Sequence, residues 1–345
     1  MMTTRVAFLF PGQGSQAVGM GADIFQSSPA ARRVFESVDE ALGFPLSQLC
    51  FTGPDETLRE TINAQPAIVT VSLALLVALQ EALADQAPAS TTSWTQPLAP
   101  AYTAGHSVGE YAALVVSGSL ALADAVRLVR ERGRLMHHEG TVCPGSMAAI
   151  IALDEETLRD VCAQATAQAV AQGTGTHPGE GQVAIANYNA PGQIVISGEL
   201  KALNLAMEMA RARGAKKVIP LAVSGAFHSP VMQPAAEGLA RAIAATPVKD
   251  AQIPLIGNMH AVPLTGAQEI REELAGQIAA SVQWIRSVEY LVNEGVTTFI
   301  EIGPGQALTG MIKRIAKGTT LMNVSNGEDI IKVVGMLSTM GLVDS

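Results

Sequence analysis

Five residues, Gly105-His106-Ser107-Val108-Gly109, fit G-x-S-x-G. That pattern holds a serine hydroxyl out on a sharp strand-to-helix turn, where it can act as a nucleophile. Glycine is needed on both sides because a Cβ there would strike neighbouring strand or helix backbone. The helix that follows aims its free N–H groups at the reacting atoms, a natural anion hole. A plain glycine-lined turn would give the same five letters, so the reading depends on what else the chain supplies.

A serine nucleophile needs a base. Of the six histidines, His177 lies in the polar loop "GTGTHPGEGQ" and is expected in solvent. His137 and His138 follow an amphipathic helix and read as surface or capping residues. His228, in "AVSGAFHSPVMQP", stands just past an apolar strand, at the kind of strand end where α/β enzymes mount functional groups. Position alone favours it only slightly. In "LADAVRLVRERGRLM", Leu122, Val126, Val129, Gly133 and Met136 share one helical stripe. Arg132 falls on a flank of that stripe, beside Ala125, Leu128 and Met136. It is either an arginine with a packed stem and a solvated head or a buried guanidinium ready to grip a carboxylate. The opening "PGQGSQAVGMG" lacks the Lys-Ser/Thr of a nucleotide P-loop. It can still offer backbone N–H groups beside the serine turn.

The elements that must position these groups alternate. "VAFLF" reads as a buried strand broken by Pro11, and an apolar helix follows over about 67–83. "QAPASTTSWTQPLAP" reads as a surface loop, and "AYTAG" as the strand leading to the serine. The middle differs: "MAAIIAL", a helix capped by Asp154, "VAIAN", "QIVISG", a helix closed by Gly214, then "KKVIPLAV". This β-α-β-β-α-β order is the ferredoxin-like unit, and α/β alternation resumes after it. The expected fold is therefore α/β, a mostly parallel sheet built from 1–146 and 221–345, with a ferredoxin-like subdomain inserted over 147–220.

Bulk properties agree with a globular chain. The 345 residues are 48% hydrophobic, and 22 basic against 31 acidic residues give net charge −9. That balance argues against a nucleic-acid binder. Cys50, Cys143 and Cys162 are odd in number and form no CxxC, which suits reduced thiols in a cytoplasmic protein. Five apolar residues before Pro11 are too few for a signal-peptide core, and "AIVTVSLALLVAL" falls short of a membrane span. The expected state is a monomer with no membrane attachment.

Together these segments resemble the malonyl-CoA:acyl carrier protein transacylase family. "FPGQGSQ" (10–16), "GHSVGE" (105–110), "RERGRLM" (130–136), "NYNAPGQIVISG" (187–198), "GAFHSPVM" (225–232), "SVQW" (281–284) and "EIGPGQALTG" (301–310) match in order. The resemblance implies a hydrolase-like α/β core with the ferredoxin-like insert, and ping-pong acyl transfer from malonyl-CoA to acyl carrier protein. Ser107 would be the nucleophile and His228 its base, with the main-chain carbonyl of Gln283 orienting the imidazole. The N–H groups of Gln13 and Val108 would form the oxyanion hole. Arg132 would clamp the malonyl carboxylate, while His106, Met136 and the bulky Phe227 shape the acyl site against a 2-methyl branch. Coenzyme A enters as a substrate thioester, and no cofactor or metal is implied. The loops at 87–100 and 173–182 look long for the family.

For an acidic carrier protein, local attraction would fall to Lys216, Lys217, Arg286, Lys313 and Arg314. One competing reading is a serine hydrolase or thioesterase, for which Asp124, Asp154 or Asp160 could supply the acid between serine and histidine. Another is a carrier-binding module with a vestigial site.

Overall fold

The structure is a computed structural model describing residues 5–84, 94–171, 173 and 177–343. Its strands, in chain order, are β1 Arg5–Phe10, β2 Tyr102–Gly105, β3 Gly145–Ile151, β4 Val183–Ala190 and β5 Gln193–Glu199. They continue with β6 Lys217–Pro220, β7 Leu255–Ile256, β8 Pro263–Leu264, β9 Val296–Ile302 and β10 Thr320–Val324. Two sheets result. The first runs β10-β9-β1-β2-β7-β8 and is parallel except for β8 at its edge. Its middle strand, β1, reads "VAFLF" as a continuous apolar run because helices cover both faces of such a sheet.

The second sheet, β4-β5-β3-β6, is antiparallel throughout, with the strand order of a ferredoxin-like unit. Period-2 alternation splits its faces. Ala148 and Ile150 pack under helices Glu155–Val170 and Leu200–Ala212, whereas Met147 and Ala149 join the core shared with the parallel sheet. Asp154 caps the first of these helices, accepting from Thr157 N at 2.8 Å, and Gly214 follows the second in a left-handed conformation (φ 93°).

Two differences from the sequence reading have local causes. The apolar helix spans Thr61–Leu83, starting before Pro66 rather than after it. Pro66 sits in the second turn, where its missing N–H leaves one carbonyl unpaired while its fixed φ suits the helix. Among the described residues this is the one helix long and apolar enough to cross a membrane, yet 94% of its apolar window is buried inside the fold. Residues 22–59, given no element above, form four helices, including Pro29–Leu42 with Ser28 as cap and Gly43 (φ 70°) as stop. Of the two loops expected to be long, 87–93 of the first and 174–176 of the second lie outside the described residues.

Candidate active site

The serine turn joins β2 to the helix Gly109–Val116. Its glycines are fixed by contact distance. A Cβ on Gly105 would lie 2.0 Å from the carbonyl carbon of Gly109, and one on Gly109 would lie 2.1 Å from the carbonyl oxygen of Phe10. With both flanks this tight, Ser107 occupies the left-handed region (φ 53°). Only four non-glycine residues among those described do so, and His228 (φ 57°) is another. Backbone strain of this kind gathers at functional sites, because the surrounding fold must hold it in place.

Ser107 Oγ lies 2.7 Å from His228 Nε2. The other ring nitrogen, Nδ1, meets the carbonyls of Gln277 (3.0 Å) and Ala280 (3.1 Å). It therefore carries the proton, and Nε2 faces the hydroxyl as an acceptor. This corrects one expected role. The Gln283 carbonyl instead accepts from Ser287, while the Gln283 N–H donates to Asn258 O. Gln283 begins the helix Trp284–Asn293 and its carbonyl belongs to that helix, whereas the 3₁₀ turn Gln277–Ala279 brings its carbonyls to the imidazole.

Arg132 is 1% exposed, so its head is buried along with its stem. Nη1 donates to Gln65 Oε1 (2.6 Å), and Nη2 donates to Gln277 Oε1 (2.8 Å) and Ser107 Oγ (3.1 Å). Nε is buried without a hydrogen-bond partner. All three acceptors are neutral oxygens. Glu110, buried in the first turn of the elbow helix, accepts no hydrogen bond from Arg132. Burial, then the neighbouring Glu273, push its carboxyl well above the ordinary range. Burial and the Arg132 charge together push the His228 imidazole down to about 3, so the resting base is neutral but weak.

A cavity of about 250 Å³ opens over these groups. It is lined by Gln13, His106, Met136 and Phe227 from the parallel-sheet part, and by Met147, Asn187, Asn189 and Val195 from the antiparallel sheet. His106 Nε2 pairs with Asn189 Oδ1 at 2.8 Å and its ring stands edge-on to Trp284, tying the elbow to the insert. Gln13 is held through its side chain, which accepts from Thr61 Oγ1 at 2.8 Å. The backbone N–H groups of Gln13 and Val108 have no partner among the described residues, as oxyanion donors require. His137 and His138 are exposed as expected, but His177 is not free in solvent: its Nε2 lies 2.7 Å from Glu139.

Sequence reasoning overlooked the residues that brace the site. Asn258, at the end of "IPLIGN", accepts from Ser107 N (2.7 Å) and donates to Gly105 O (2.7 Å), pinning both sides of the elbow. Gln277 touches each reactive unit: its side chain donates to Ser107 O at 3.0 Å and to Glu110, and accepts from Arg132. Gln65 and Glu110 complete the group. A polar residue ending an apolar strand, or facing inward from an apolar helix, was the only available signal.

Comparison with known proteins adds a family to this geometry. The model of the acyl transferase domain family matches residues 7–338. The chain belongs to that family. It is 43% identical over 327 residues, 95% of either chain, to a protein of Bacillus subtilis named malonyl CoA-acyl carrier protein transacylase. Its structure resembles the acyl-carrier-protein-S-malonyltransferase of Bartonella henselae, with TM-score 0.86 and 38% identity, covering 97% of this chain and 100% of that one. A malonyl-transacylase solved in complex with a type II PKS acyl-carrier protein gives TM-score 0.85 at 34% identity, covering 96% and 100%. The chain is thus an acyltransferase with an α/β fold of one mostly parallel and one antiparallel sheet.

Proposed function

We propose that this acyltransferase moves a malonyl group from malonyl-CoA to the phosphopantetheine thiol of an acyl carrier protein, through a malonyl ester on Ser107. The observation carrying the choice of acyl group is Arg132: a buried guanidinium 3.1 Å from the nucleophile, hydrogen-bonded among the described residues only to neutral oxygens. A substrate ending in a carboxylate supplies the missing anion. A simple acyl group leaves it missing.

In the first half-reaction Ser107 Oγ attacks the thioester carbonyl as its proton passes to His228 Nε2. The tetrahedral oxyanion forms against the N–H groups of Gln13 and Val108, donors of a type worth about 2.7–4 kcal/mol each. Collapse breaks the C–S bond, and His228 returns the proton to the departing coenzyme A thiol. The carrier's thiol then reverses these steps on the ester. Phe227, buried and lining the cavity, is the residue assigned in this reading to exclude a 2-methyl branch. Among the described residues the hydrolase alternative finds no acid at the imidazole. Asp154 is an exposed helix cap, Asp160 is exposed on the helix that Asp154 caps, Asp124 pairs with Arg127 at 3.7 Å, and His228 Nδ1 meets the carbonyls of Gln277 and Ala280.

Intact-mass detection of a malonyl adduct on Ser107, followed by its discharge onto purified carrier protein, tests the proposal. Hydrolysis as the main fate of the adduct would instead favour a thioesterase. Arg132→Ala should cut malonyl transfer about 100-fold or more, since it removes a charge-assisted fork. Acetyl transfer should not fall with it, and equal losses for both donors would remove the clamp from the mechanism.

Docking of an acidic carrier is assigned to Lys216, Lys217, Arg286 and Lys313, all exposed. Arg314 is already engaged with Gln193 Oε1 (2.6 Å) and Pro191 O, so it ties the insert to the core instead. Charge reversal at Lys313 should raise KM for carrier protein while leaving acylation by malonyl-CoA unchanged. An unaltered KM at each of the four positions would put docking elsewhere.

A further inference from the structure

The hydrogen count on Arg132 raises a question that the clamp alone does not answer. A guanidinium has five N–H bonds. Both hydrogens of Nη2 are in use, one on Gln277 Oε1 and one on Ser107 Oγ, while Nη1 spends one on Gln65 and keeps one free. Gripping a carboxylate with a two-pronged fork from Nη1 and Nη2 requires one more hydrogen from Nη2. The Gln277 bond is braced, because Gln277 is fixed by Ser107 O, Glu110 and the turn beneath His228. The bond to Ser107 Oγ, at 3.1 Å the longer of the two, is the one that can yield.

That bond also has a chemical cost while it lasts. It occupies a lone pair on the attacking oxygen, and it brings a full positive charge next to the residue that must accept the proton. No carboxylate contacts His228 among the described residues to offset this. Around the imidazole stand Arg132 from the helix Leu122–Val142, His106 and Ser107 from the elbow, and Gln277 and Ala280 from the turn. Glu110, Tyr111 and Glu273 lie behind Arg132 and Gln277, the two carboxyls pushed toward their protonated forms. Among the described residues no carboxylate accepts a hydrogen bond from Arg132.

We propose that the substrate's own carboxylate switches the nucleophile on. By taking the Nη2 hydrogen that Arg132 now gives to Ser107 Oγ, it frees that oxygen for attack and neutralises the charge facing His228. The proposal rests on the malonyl-transfer reading and adds that Arg132 acts on rate as well as on binding. In the switched state the steps still balance: Oγ–C forms as the proton moves to Nε2, and C–S breaks as that proton leaves on the thiol. A donor without the carboxylate binds to a site whose oxygen stays tied and whose base stays weak. Discrimination therefore appears in the acylation rate at saturation, not only in KM.

Formate and acetyl-CoA together make malonyl-CoA in two pieces, which gives a direct experiment on the wild-type enzyme. Acetylation of Ser107 by saturating acetyl-CoA is followed by quenched-flow intact mass, with and without added sodium formate at constant ionic strength. Formate should accelerate it about tenfold or more, the scale of one charge-assisted hydrogen bond converted to rate, and should do nothing in Arg132→Gln. No acceleration, slowing, or equal acceleration in Arg132→Gln overturns the switch.

The pH profile gives a second readout. With acetyl-CoA alone His228 keeps its depressed pKa, so acylation stays level through the mildly acidic range. With malonyl-CoA bound the pKa rises, and acylation falls away from a higher pH. Coincident acid limbs also overturn the switch. If malonyl-CoA itself leaves no adduct on Ser107, the underlying function fails. If the adduct forms but formate is inert, only the switch fails.

Discussion

Replacing His228 with alanine should slow formation of the Ser107 ester about 10,000-fold or more, the loss seen when one member of a nucleophile-base unit is removed. The geometry allows no substitute. His228 Nε2 is 2.7 Å from the hydroxyl, and the other side chain bonded to Oγ is Arg132, which only donates. Alanine must also adopt the left-handed backbone of position 228 (φ 57°), so some stability is lost as well. Imidazole in solution separates the two effects. Partial recovery of acylation with added imidazole shows that a base is missing from an otherwise intact site. A variant that retains most of its acylation rate would show that His228 is not the base.

The orienting groups make this residue more than a generic histidine. An aspartate at Nδ1 would stabilise the imidazolium by charge, whereas here two carbonyl dipoles do so. Carbonyls fix the tautomer equally well but contribute less to basicity. Among the described residues no carboxylate hydrogen-bonds to His228 or to Arg132, which is the opening the proposed switch would use. An electron-rich triad could not discriminate in this way.

How much of this the sequence disclosed follows from which forces act locally. The elbow was legible because it depends on close backbone approach that glycine permits, and because the five letters stand between a strand and a helix. The ferredoxin-like insert was legible because apolar periodicity changes around Met147 and again after Pro220, where the chain returns to the parallel sheet. Arg132 could be placed on its helix flank, but whether its head reached solvent depended on Gln65 and Gln277, far away in sequence. The Gln283 assignment failed for a related reason. Which carbonyl meets Nδ1 is set by how a 3₁₀ turn packs beneath His228, and both Gln277 and Gln283 lie just ahead of or within turns at helix ends. Asn258 was invisible because a single asparagine after a two-residue strand has no periodicity. Its importance appears only when β7 is placed beside β2, which puts its side chain against Ser107 N and Gly105 O.

Gly105→Ala should be the most damaging single-methyl change in the chain, lowering stability by about 4 kcal/mol or more or preventing folding. Overpacking usually costs about 1–3 kcal/mol because a side chain can turn aside. Here the added carbon would meet Gly109 C at 2.0 Å, Gly109 O at 2.1 Å and Glu110 N at 2.2 Å, all backbone atoms of one helical turn. Relief requires moving the whole elbow helix, yet Gly109 is itself pressed against Phe10 O on β1. Strand, elbow and helix therefore form one rigid stack, and the strain at Ser107 is what that stack enforces. Gly335→Ala is the control. This glycine lies on the exposed face of the helix Gly327–Thr339, with nothing within 4 Å of an added Cβ. Alanine there should be neutral or stabilise by up to about 1 kcal/mol through helix propensity. Denaturant midpoints of the two variants decide the matter. A Gly105→Ala protein as stable as Gly335→Ala, with Ser107 still acylated at the wild-type rate, would mean that the elbow can open. The nucleophile would then not be held by backbone contact.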